Sequence, residues 1–153
     1  MSIEQSNANA YLRTKVMTAS REELRLLLLD GALKFAHQGR EGLATKNYEL
    51  SFNGISSCRN IVLELLTTIK PEHDPELCDR VKALYSFIYT HLVEASMEKN
   101  IKKLDAVIRL LSYERETWAL LMEQVRAGKG APADPAPAKR ERAGARQTLS
   151  LEA

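Results

Sequence analysis

The chain has 153 residues, enough for one domain with its own core. Apolar residues make up 44% and charged residues 27%, the balance of an ordinary globular protein, and no apolar run approaches the ~20 residues that a membrane-spanning helix needs, so membrane insertion is not expected. The net charge of +2 resides in residues 127–153, which hold five basic and three acidic residues; the other 17 basic and 17 acidic residues cancel, which argues against phosphate-backbone binding and leaves nucleic acid out as a partner.

The chain opens on the polar run Met1-Ser2-Ile3-Glu4-Gln5-Ser6-Asn7, which has no hydrophobic signal core, and a cytoplasmic location is expected from it. Residues 1–19 read as a short polar arm carrying the apolar anchors Tyr11, Leu12, Val16 and Met17. Ser20-Arg21-Glu22-Glu23 is a capping box, because hydroxyl and carboxylate each satisfy a free backbone N–H at a helix start. The first helix is predicted from there to about Ala44. Gly31, Gly39 and Gly42 weaken it, unless they let a neighbouring backbone approach closely.

The second helix is predicted from about Lys46 to Ile69, with Tyr48, Phe52, Ile55, Val62, Leu66 and Ile69 on one face and Cys58 and Leu65 beside them. Asp74 is a good N-cap and Pro75 suits a first helical position, so a third helix starts there and runs to about Lys99 on Leu77, Val81, Leu84, Ile88, Leu92 and Ala95. Asn100 can cap a fourth, whose seam is Leu104, Val107, Leu111, Trp118, Leu121 or Met122, and Val125. Short joints between long helices favour antiparallel neighbours. The expected fold is all-α: an antiparallel up-down-up-down four-helix bundle over residues 20–126. The Ala-, Pro- and Arg-rich stretch 127–153 cannot bury enough surface to offset its ordering entropy and is expected to be a disordered tail.

A search for chemistry is negative. His37, His73 and His91 lie on different segments, and none has the Glu-x-x-His spacing of a di-metal bundle site. As phosphotransfer residues, His37 has a weak setting and His91 has Glu94 one turn away, where it would repel phosphate. Phosphate loops, nucleophile elbows and Gly-rich dinucleotide turns are absent, and Cys58 and Cys78 stand alone as small apolar residues. No enzymatic activity, metal or cofactor is expected.

What remains is surplus apolar surface. Ala83 to Ser96 carries Phe87, Tyr89 and Val93 in addition to its core stripe, and the first helix is apolar almost all round, with Leu24, Leu28, Ala32 and Phe35 on one face and Leu26, Leu29 and Leu33 on the others. Homodimerisation is one outlet for such a surface; a groove for an amphipathic partner helix is another.

Thr18-Ala19-Ser20-x-Glu22-Glu23-Leu24 with Leu28-x-Asp30-Gly31-Ala32-Leu33-Lys34-Phe35 resembles the first-helix signature of the flagellar secretion chaperone FliS family. The resemblance continues through Asn60-Ile61-Val62-x-Glu64-Leu65, through Leu84-Tyr85-x-x-Ile88-Tyr89-x-x-Leu92-x-x-Ala95, and to Val107-x-x-Leu110-Leu111 and Trp118. Arg21 stands where the family usually has Pro, and the tail lies outside the resemblance. The resemblance implies a cytosolic export chaperone that binds the C-terminal segment of unpolymerised flagellin, prevents premature polymerisation and helps deliver it to a component of the flagellar type III export gate. The alternative is a self-associating structural or regulatory bundle with no flagellin client. Tyr11, Leu12 and Val16 on the arm, with Ile61, Tyr89 and Val93 off their helices' core stripes, are the expected partner-binding residues.

Overall fold

The computed structural model describes residues 3–69 and 74–128, and these form five α-helices with no strand among them. They are α1 (Ile3–Thr18), α2 (Arg21–Ala44), α3 (Tyr48–Thr67), α4 (Pro75–Glu98) and α5 (Ile101–Gly128). The expected tail lies outside the described residues from 129 onward. Two compact units are distinguished, Met1–Glu116 and Thr117–Ala153, the second described only over the end of α5.

The starts of α2, α4 and α5 follow the predicted chemistry, and Asn47 adds a cap for α3 that was not predicted. Ser20 Oγ accepts from the Glu23 N–H at 3.1 Å, and Glu23 Oε1 accepts from the Ser20 N–H at 2.9 Å. The Asn47, Asp74 and Asn100 side chains accept N–H bonds at the starts of α3, α4 and α5. Lys46 and Lys99 turn the joints in the left-handed region, at φ 60° and 53°.

The N-terminal arm carries a helix that was not among the predicted elements. α1 buries no residue; Tyr11 is 68% exposed, and Leu12, Val16 and Met17 also face solvent. Its apolar side chains are too few for a stripe, so the sequence pattern did not announce a helix.

Glycine sets the α2–α3 contact. A Cβ on Gly54 would lie 2.5 Å from the Gly39 nitrogen and 2.7 Å from the Phe35 carbonyl oxygen, and a Cβ on Gly42 would collide with the Ser51 backbone. The two backbones therefore touch where side chains would keep them apart. Contacts from Gly42–Ser51 through Gly39–Ile55 and Gly31–Ile61 to Arg25–Thr68 ascend on one helix as they descend on the other, so the pair runs in opposite senses. α3 also packs closely on α4. α5 reaches α2 through Arg40–Asp105 and Arg115–Asp30, and α4 through Lys103–Glu94 and Tyr85–Glu114.

The core is built of Leu29, Ala32 and Ala36 from α2; Ile55, Cys58, Val62 and Leu65 from α3; Tyr85, Ile88, Leu92 and Ala95 from α4; and Leu104, Val107 and Leu111 from α5. This corrects several predicted faces. Tyr48 and Phe52 are exposed, because Ser51 and Gly54 occupy the inward positions at the tight α2 contact. Leu77 is exposed and Cys78 is buried in its place. Tyr85, not counted as core, is fully buried because its hydroxyl donates to Glu114 Oε1 at 3.2 Å, satisfying the one polar atom that would resist burial. Trp118 is half-buried, and Leu121 and Val125 are exposed, so the seam of α5 fades after Leu111.

Candidate functional site

The seam between α3 and α4 leaves an open apolar groove. Val62, Leu63 and Leu66 face Ser86, Tyr89 and Thr90 across a cavity of about 180 Å³. That is below the roughly 300 Å³ at which pockets for drug-sized ligands begin. It suits the insertion of one or two side chains from another chain. Leu63 forms the exposed wall, at 48%, while Val62 beside it belongs to the core. On α4, Tyr89 follows the buried Ile88 by one residue, about 100° around the helix, which turns its ring from the core into the groove.

Apolar side chains continue around the groove's helices. Tyr48 and Phe52 are exposed on the first turns of α3, with Lys99 Nζ 5.0 Å from the centre of the Tyr48 ring. On α4, Phe87 is exposed and stacks on His91 with ring centres 4.0 Å apart. His91 Nδ1 is buried and has no hydrogen-bond partner among the described residues.

The predicted binding residues divide into groups. Tyr89 lines the groove. Val93, half-buried, stands one turn further along α4. Ile61 points the other way: its Cδ1 meets the space above Gly31 on α2 at 3.3 Å, so the structure does not bring it together with Tyr89. Tyr11, Leu12 and Val16 are exposed on α1. Leu63 was missed, although the signal was present. Ile61-Val62-Leu63 followed by Leu65-Leu66 is apolar all round the helix, so at least one residue must face away from the core.

Burial pushes the Cys58 thiol up to about 12, which leaves no thiolate near neutral pH. Lys103 Nζ bonds Glu94 Oε1 at 2.7 Å; this hydrogen bond holds the Glu94 carboxyl below its ordinary value and the Lys103 ammonium above its own. Among the described residues no group of three or more His, Cys, Asp or Glu side chains is placed to hold a metal ion, and no helix is long and apolar enough to cross a membrane.

Against this geometry, the family model described as flagellar protein FliS matches residues 4–125, from the first turn of α1 to the last turns of α5. The chain belongs to the FliS family. Two relatives carry the description flagellar secretion chaperone FliS. That of Bacillus subtilis (strain 168) is 27% identical over 122 residues, which are 80% of this chain and 90% of the relative. That of Escherichia coli (strain K12) is 24% identical over 115 residues, 74% of this chain and 85% of the relative. The FliS match takes in the residues of α1 from Glu4 onward as well as the packed helices.

Proposed function

We propose that this protein is a flagellin export chaperone. It binds the C-terminal segment of unpolymerised flagellin in the cytoplasm, keeps it from polymerising, and helps bring it to a component of the flagellar type III export gate; it performs no reaction. The observation that carries this reading is the FliS match over residues 4–125, with two relatives named as flagellar secretion chaperones. In the same reading α2 to α5 form an up-down-up-down antiparallel bundle, and α1 is an arm beside it.

The groove supplies a physical basis. An amphipathic client helix docks through anchors at i, i+3, i+4 and i+7, and the α3–α4 groove offers a row of apolar positions with hydroxyls at its edge. Tyr89 and Val93 are its proposed contacts, with Leu63 added to them. Tyr11, Leu12 and Val16 form a second proposed contact, since α1 gains apolar burial only when something covers it. Ile61, whose Cδ1 lies over Gly31 on α2, is not among the proposed groove contacts.

The groove is tested by Leu63→Asp. Leu63 is half exposed, so the variant keeps its fold, while a carboxylate facing a docked apolar helix would have no partner. Capture of flagellin by the immobilised variant is expected to fall by at least about tenfold at an unchanged melting temperature. Undiminished capture would place the client elsewhere.

A further inference from the structure

Four charges join α5 to α2 in a pattern. α2 contributes Asp30 and Arg40; α5 contributes Asp105 and Arg115, ten residues apart on each helix. Ten residues span about 15 Å of helix. Each contact is forked: Arg40 Nε and Nη2 donate to the two oxygens of Asp105, and Arg115 Nε and Nη2 donate to the two of Asp30. With the order of the charges reversed on one helix, Asp30 would face Asp105 and Arg40 would face Arg115. The pattern therefore selects one direction and one register for α5, as charge pairs do in coiled coils.

The apolar hold on α5 is comparatively weak. Leu104, Val107 and Leu111 are its buried apolar residues, three against four each on the shorter α2 and α3 and five on α4. The close backbone packing that joins α2 to α3 and α3 to α4 does not extend to α5 in the same way, and from Ile101 to Ala127 it has no glycine to allow it. What α5 has in addition is polar: the two forked pairs, Lys103 bonded to Glu94 and Glu98, and Glu114 accepting from Tyr85. These side chains are mostly part-exposed, so salt screens them.

We propose that the first half of α5, residues Ile101–Glu116, is an electrostatically latched helix that opens as a unit while α2, α3 and α4 remain folded. The latch is the Asp30/Arg40–Asp105/Arg115 pattern, and ionic strength sets how often it opens. Segments with few buried apolar contacts open at lower free energy than the core they cover. Opening would uncover the faces of α2 and α4 that Leu104, Val107 and Leu111 now help to cover. This inference stands on the contacts of α5 and is independent of the flagellin reading.

Amide hydrogen exchange on the full client-free chain tests it, at about 0.05 M and about 1 M sodium chloride. Amides of residues 105–116 are expected to exchange at least roughly tenfold faster than those around Ile55–Leu65, with the gap widening in high salt. At low salt, Arg40→Gln and Arg115→Gln should each speed exchange in α5 by roughly two- to fivefold and leave α3 unchanged. Exchanging the partners, Asp30→Arg together with Arg115→Asp, should restore slow exchange that either change alone removes. Exchange of α5 in step with α3, or fast exchange that responds to neither salt nor the variants, would overturn the proposal.

Discussion

At the scale of single residues, the absence of a side chain matters as much as its presence. Gly54 and Gly39 put backbone against backbone, so Gly54→Ala must push two helices apart. Overpacking of this kind costs about 1–3 kcal/mol or more, well above the ~1 kcal/mol that alanine gains in helix propensity. Gly31→Ala meets only the flexible end of Ile61, at 3.3 Å, and the propensity gain should prevail there. Urea denaturation should therefore show Gly54→Ala strongly destabilised and Gly31→Ala neutral or slightly stabilised. Equal effects would mean that the α2–α3 contact is looser than described.

Two buried acids set an alkaline limit. Burial raises the Cys58 thiol from 9.0 to about 12 and the Tyr85 hydroxyl from 10.0 to about 12. Each is more willing to ionise unfolded than folded, so between those values the unfolded chain binds fewer protons. The stability they contribute is full below about pH 9 for Cys58 and about pH 10 for Tyr85, and is lost as pH rises toward 12. The slope approaches ~1.4 kcal/mol per pH unit for each group. Denaturation followed from pH 8 upward should show this fall, with a shallower slope in Tyr85→Phe, which cannot ionise. A slope identical in that variant would contradict the burial of Tyr85.

Among the elements, α1 stands apart because it buries nothing. An isolated helix of 16 residues is marginal in water. Deleting residues 1–17 should remove helical signal roughly in proportion to length and leave the melting temperature within about 2 °C, since no packing is lost. A large drop in melting temperature would show that α1 supports the core. The starts of α2, α4 and α5 were legible because they carry strong signals: the Ser20 box, Asp74-Pro75 and Asn100 each satisfy backbone N–H groups left open at a helix start, while the Asn47 cap of α3 was not read from the sequence. Faces were less legible than ends. The periodicity of α3 admits an inward face through Tyr48 and Phe52 or one through Ser51 and Gly54; the glycine contact with α2 decides between them, and that is a property of two helices together. Tyr85 was missed for a similar reason, since its hydroxyl partner, Glu114, lies on another helix. In the site, Tyr89 was readable as apolar surplus and Leu63 was hidden among four apolar neighbours. Ile61 was equally off its stripe, but its destination depended on Gly31 across the α2 contact.

For the whole molecule, the same property serves fold and function: helices with more apolar surface than their own packing consumes. α2 uses the surplus in glycine-lined contact with α3; α3 and α4 leave part of theirs open around Leu63 and Tyr89. A chaperone that must release its cargo needs such a surface to be adequate and shallow, because a deeper pocket would raise affinity and slow release. The most direct measurement of the central claim is a calorimetric titration of the full chain with two ligands: monomeric flagellin and flagellin lacking its C-terminal segment. Saturable, stoichiometric binding of the intact subunit is expected at micromolar affinity or tighter, with a negative heat-capacity change from apolar burial, and no binding of the truncated one. Equal binding of both, or no binding of either at concentrations of about 100 μM, would contradict it.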